Sequence, residues 1–201
     1  MSSSTTSASL EYFSSVSLSA CLVSSGDFCS KIYHPDEPKI IREAMGFSQE
    51  IADRRDLRYP TAFHYSLGSL VWPAKKLIES RGGDPYPVVY VTGRVLSVLL
   101  GKATILLVYA LAKRINDRRH ALIASSALAF SMYHVTNSAW ATTDVTSSFL
   151  LSSFLILTFK TMDDESLLLA VTTGAALGLL VGAKYTGAIA IMPWKCLAQR
   201  V

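Results

Sequence analysis

Half of the 201 residues are hydrophobic and only 17% are charged, with a mean hydropathy of +0.33, where a soluble domain carries about 25% charged residues. The net charge of +4 comes without a continuous basic stripe and interleaved aromatics, which argues against nucleic-acid binding. Cys21, Cys29 and Cys196 are too few and too scattered for a disulfide framework, and no CxxC or Cys/His spacing marks a metal site.

The charges are unevenly placed. Twelve of them fall between Lys31 and Arg58, leaving long stretches nearly free of charge. The first thirty residues contain twelve serines and read as a Ser-rich disordered leader or a marginal first membrane helix. The uncharged run within them, residues 12–26, is shorter than the roughly 20 residues a span needs, and it lacks the basic n-region of a signal peptide.

Residues 31–86 form a polar segment. Pro38 fits the first turn of a helix and Glu37 its N-cap. Ile40, Ile41, Ala44, Met45, Ile51 and Ala52 follow at near-helical spacing, which predicts an amphipathic helix lying on a membrane surface or on partner helices. A second helix is expected over 62–79, ended by the turn at 81–85.

From residue 87 onward the chain reads as transmembrane helices at about 87–112, 121–141, 145–162, 166–184 and 186–201, the last of them cut short. The fold class expected is therefore all-α, a polytopic helical bundle. The loop 113–119 carries Lys113, Arg114, Arg118 and Arg119 against Asp117, which assigns it to the cytoplasm. The 31–86 segment and the turn at 141–144 then share the opposite, external face, and so do Asp36, Glu37 and Asp144.

Several of these residues can carry chemistry, and each has a plainer role beside it. Asp36 and Glu37 can act on an acceptor hydroxyl as a general base, or simply favour a helix N-terminus through its dipole. Adjacent carboxylates cannot flank a glycosidic bond as a hydrolase pair does. Arg94 lies roughly 10 Å into its span, a depth at which a guanidinium must be paired or face a cavity. Its structural alternative is an ion pair with Asp144. Lys102 lies deeper. His134, Thr142, Thr143 and Asp144 gather where one span ends, with Asp144 also suited to cap the next helix. Lys184, within Gly182-Ala183-Lys184-Tyr185-Thr186-Gly187, is either functional or an interfacial turn lysine.

The order of His34-Pro35-Asp36-Glu37, Gly93-Arg94, Thr142-Thr143-Asp144 and the run from Gly178 to Lys184-Tyr185 resembles polyprenyl-phosphate-dependent GT-C-fold glycosyltransferases. These are similar to protein O-mannosyltransferases and bacterial aminoarabinose transferases. The resemblance covers about residues 31–195. It implies sugar transfer, with inversion, from a polyprenyl-phosphate donor to an acceptor hydroxyl on a glycan, lipid or protein at the external face. It implies Asp36 as base with Glu37 beside it, Arg94 and Lys184 at the donor phosphate, and Asp144 with His134 as a second acidic site. No metal or other cofactor is expected, because polyprenyl phosphate leaves as a stable anion. The expected setting is a plasma (inner) membrane, and the chain reads as the N-terminal part of a longer enzyme. The rival readings are a transporter or channel piece whose Arg94, Asp144 and Lys184 line a path, and a membrane scaffold with purely structural ion pairs.

Overall fold

A computed structural model describes residues 34–46, 62–164 and 166–192. The Ser-rich leader, Ile51, Ala52 and the end of the chain past residue 192 lie outside the described residues. Every regular element among those described is helical, as the composition and periodicity require.

Helix α1, Glu37–Met45, begins one residue earlier than its sequence suggests. Asp36 takes the N-cap position, Pro38 sits in the first turn, and the Glu37 side chain is released for other work. Ile40, Ile41 and Ala44 are buried against Phe63, Leu67 and Val71 of helix α2, Ala62–Ser80, and Val89 of helix α3, Tyr86–Ile115. Between the two alternatives for this amphipathic stretch, partner helices win over a membrane surface. Lys75 Nζ donates to the Met45 carbonyl at 2.6 Å, satisfying one of the acceptors that every helix C-terminus leaves open. The turn after α2 needs Gly82, whose φ of 72° lies in the left-handed region that glycine enters without a Cβ clash.

Helix α3 runs for 30 residues, about 45 Å at 1.5 Å per residue. It and α6, Thr143–Asp163, are long and apolar enough to cross a membrane. Helix α7, Leu167–Ala183, is apolar but shorter. The bundle buries hydroxyls among its apolar contacts and exposes large apolar side chains. Ser97, Thr104, Ser125, Ser152, Thr158 and Thr173 are buried, while Leu99, Leu106, Leu167, Leu168 and Val171 are exposed. Lipid offers no reason to hide leucine, and hydroxyls that bond the preceding turn tolerate the interior. Thr104, Ser125, Ser152, Thr158 and Thr173 each donate to the carbonyl four residues back.

The span expected over 121–141 is not one helix. It divides into α4, Arg118–Ala129, and α5, Met132–Ala139. Ser131 adopts an extended conformation and its hydroxyl accepts the His134 N–H, so a capping residue inside an apolar run restarts the helix. Helix α4 also starts earlier than expected, because Asp117 caps it by accepting from His120 N at 3.1 Å. That bond holds the Asp117 carboxyl below its usual range. After α7, Lys184 is extended and Tyr185–Ala190 forms a 3-10 helix, where the sequence suggested a further span from 186.

Candidate functional site

Two polar clusters meet at the turn between α5 and α6. The first is built around Glu37. Its carboxylate accepts from Arg94 Nε at 3.0 Å and from Arg94 Nη2 at 2.9 Å, and also from the Ala141 backbone N–H at 3.0 Å. Glu37 is 0% exposed and Arg94 1%. One carboxylate thus ties α1, α3 and the α5–α6 turn together. Gly93 explains how they come so close: a Cβ there would lie 2.9 Å from Ala141 Cβ and 3.2 Å from Leu67 Cδ2. The Gly93-Arg94 pair is one device, a notch followed by a cation. The Arg94 guanidinium also lies 5.5 Å from the Tyr90 ring centroid, a favourable cation–π distance.

The structural alternative for Arg94, an ion pair, thus has Glu37 rather than Asp144 as its partner. The cause is position: α1 inserts its N-terminus between Arg94 and the turn, and bidentate Arg–carboxylate geometry is satisfied there. It also places Arg94 within a sealed contact.

Asp36, one residue before Glu37, has a different setting. Its side chain is 43% exposed, and its backbone N–H donates to His34 Nδ1 at 3.2 Å. The His34 ring packs on Trp140 with centroids 4.9 Å apart. The acidic pair is thus divided, one carboxylate buried in the bundle and the other toward solvent.

The second cluster lies three residues beyond Ala141. Asp144 is in the first turn of α6; the N-cap position belongs to Thr142, not to Asp144 as its residue type suggested. The Asp144 carboxylate accepts from Lys184 Nζ at 2.6 Å. Both line a cavity of about 250 Å³, with Ser147 and Ser148 below them and Leu151 and Leu180 among its apolar walls. The pair is open to approach, Lys184 being 44% exposed and Asp144 37%. The sequence named both residues but not their union, and it missed the two serines, which are indistinguishable from other serines of α6 by spacing.

His134 does not join this cluster. It faces α3, with Nε2 3.3 Å from the Gly101 carbonyl, while its neighbour Tyr133 lines the cavity. A helix turn separates adjacent side chains by about 100°, which proximity in sequence conceals. Lys102 is half-buried midway along α3. No group of three metal-ligating side chains converges among the described residues.

An all-helical, lipid-compatible bundle that carries an acidic helix start and a Lys-Asp cavity has the architecture of a GT-C-type membrane glycosyltransferase. The family model of dolichyl-phosphate-mannose-protein mannosyltransferase matches residues 89–196, more than half of the chain, and the protein belongs to that family. The match includes Arg94, His134, Asp144 and Lys184 and begins downstream of Asp36 and Glu37. No match was found among curated proteins or solved structures.

Proposed function

We propose that the protein transfers a sugar from a polyprenyl-phosphate donor to an acceptor hydroxyl, with Asp36 as the general base and Lys184 at the donor phosphate. One observation carries this reading. The turn that binds Glu37 through Ala141 leads within three residues to Asp144 and its cavity. The stretch 141–144 therefore holds the residue next to Asp36 at one end and Lys184 at the other.

The chemistry fits these two groups. The acceptor oxygen attacks the anomeric carbon and its proton passes to the Asp36 carboxylate. The bond from that carbon to the phosphate oxygen breaks, and the electron pair leaves with the polyprenyl phosphate. That anion needs a fixed cation nearby rather than a proton donor or a cofactor. Lys184 has three N–H donors; one meets Asp144 and the others are open to phosphate oxygens. The serine-and-leucine walls of the cavity suit a headgroup that continues into an isoprenoid chain. Backside attack inverts the anomeric centre. Arg94 acts through Glu37, as a positioning residue for Asp36.

In this reading the enzyme is a multi-pass protein of the plasma (inner) membrane with Asp36 on the external face. The acceptor is a glycan, lipid or protein hydroxyl. A permeation path lined by Arg94, Asp144 and Lys184 draws no support, since Arg94 is sealed against Glu37.

The test is transfer of radiolabelled sugar from lipid donor to acceptor in native membranes, with donor affinity measured alongside. Asp36→Asn is expected to lower turnover by roughly a hundred- to ten-thousandfold with donor affinity unchanged. Lys184→Met is expected to weaken donor binding and to slow transfer by on the order of a hundredfold. Near-normal transfer by Asp36→Asn removes the base assignment and leaves that residue as a helix cap.

A further inference from the structure

At the end of the bundle away from Asp36, exposed cations outnumber carboxylates among the described residues. Asp117 is engaged by the backbone N–H of His120 and by its ring. Asp163 is engaged by Arg114, which also reaches the Phe159 carbonyl. Lys113, Arg118, Arg119 and Lys160 are all exposed there, and none forms an ion pair among the described residues. Asp164 is the remaining carboxylate among the described residues of that end.

What lies beneath these cations narrows the partner. Leu122 is 41% exposed and Ile123 68%, each one helical turn from Arg118 or Arg119 on the same face of α4. Phe130, 65% exposed, continues the stripe from Ile123 after two further turns. Arg119 and Phe130 are roughly 16 Å apart along the helix at 1.5 Å per residue. Ile115 adds a 60% exposed apolar side chain beside the cationic end. The shape is a pair of guanidiniums at the head of an apolar track directed along the bundle.

We propose that this face of α4 binds one anionic phospholipid, its phosphate held by Arg118 and Arg119 with Lys113 nearby, and an acyl chain laid along Ile123 and Phe130. A free phosphate would make no use of the apolar track. A neutral lipid would leave the two guanidiniums uncompensated. Guanidinium forks bind phosphate oxygens in pairs, and basic residues at this level of a bilayer are drawn to anionic headgroups. The site is independent of the catalytic reading, since none of its residues belongs to the Asp36 or Lys184 clusters.

The experiment uses the whole chain purified in mild detergent with equal amounts of phosphatidylglycerol and phosphatidylcholine of identical acyl chains. Retained lipid is counted by native mass spectrometry. The wild type should retain phosphatidylglycerol preferentially, and Arg118→Gln/Arg119→Gln should lower that preference by roughly thirtyfold. Ile123→Asn should weaken retention without changing the charge. Arg81→Gln, a charge removed at the opposite end, should have no effect. Excess glycerol 3-phosphate should not displace the lipid. Circular dichroism checks that the variants are folded, and Lys113→Gln/Lys160→Gln provides a second loss of charge if the first double variant is not. Equal retention of the two lipids, a double variant that keeps its preference, or displacement by glycerol 3-phosphate would each overturn the proposal.

Discussion

Replacing Arg94 with leucine strips the buried Glu37 carboxylate of two charge-assisted bonds, from Nε and Nη2, and leaves it only the Ala141 N–H. Bonds to charged groups contribute about 1.5–3 kcal/mol each, so the loss is about 3–6 kcal/mol. That agrees with the 3–5 kcal/mol typical of orphaning one member of a buried pair. It is a large part of the 5–15 kcal/mol by which proteins are commonly stable. Removing both charges together, in Arg94→Leu/Glu37→Met, leaves no buried charge but abandons the Ala141 N–H. The double variant is therefore expected to be more stable than Arg94→Leu while remaining below the wild type. Arg94→Lys keeps the charge and loses the fork, so it falls between. Reversible unfolding of the purified protein in mixed micelles supplies the stabilities, and the double-mutant cycle supplies the coupling. Sugar transfer is measured on the same preparations. Full stability of Arg94→Leu with transfer abolished would refute this reasoning, because it would mean that Arg94 serves the donor phosphate rather than Glu37.

Two further outcomes follow from the packing and the charge pattern. Gly101→Ala should destabilise the contact of α3 with α5, since a Cβ there would lie 2.4 Å from Ser138 Oγ. The overpacking cost is about 1–3 kcal/mol, read from the same unfolding curves, and Gly101→Ala/Ser138→Ala should recover part of it, since the Ser138 Cβ contact at 2.9 Å remains. In intact cells on a cysteine-free background, a single cysteine at Arg81, exposed beside Gly82, should react with an impermeant thiol reagent and one at Asn116 should not. The reverse pattern would place Asp36 on the cytoplasmic face.

The long elements were legible because their punctuation is chemical. Gly82 and Pro85 bracket the turn between α2 and α3, and the apolarity of α3, broken only by Arg94 and Lys102 before its basic end, needs no tertiary context. The division of α4 from α5 was not legible, since Ser131 is one hydroxyl among many in an apolar stretch and acts as a cap only once the chain is extended there. The site shows the same limit. Arg94, Asp144 and Lys184 stood out as charges where lipid penalises them. Their pairing depends on where α1 inserts, across 57 residues of chain from Glu37 to Arg94. Sequence spacing offered Asp144 as the partner of Arg94 and gave no sign of Glu37. Burial chose. Similarly, the acceptor on the far side of Glu37 is met by a backbone N–H, a group that every residue but proline has and that no composition can flag.

The three-way tie at Glu37 gives the neighbouring dipeptide a direction. Asp36 and Glu37 are chemically near-equivalent, yet exchanging them would offer Arg94 and Ala141 a carboxylate one methylene too short to reach both. The longer arm would meanwhile extend into solvent, where its carboxyl could swing rather than hold one place. The shorter acid stands at the helix N-cap, held close to the backbone, and the longer one bridges a gap between three segments. An aspartate on so short a stem, next to an anchored glutamate, inherits the rigidity of the membrane helices without being buried among them.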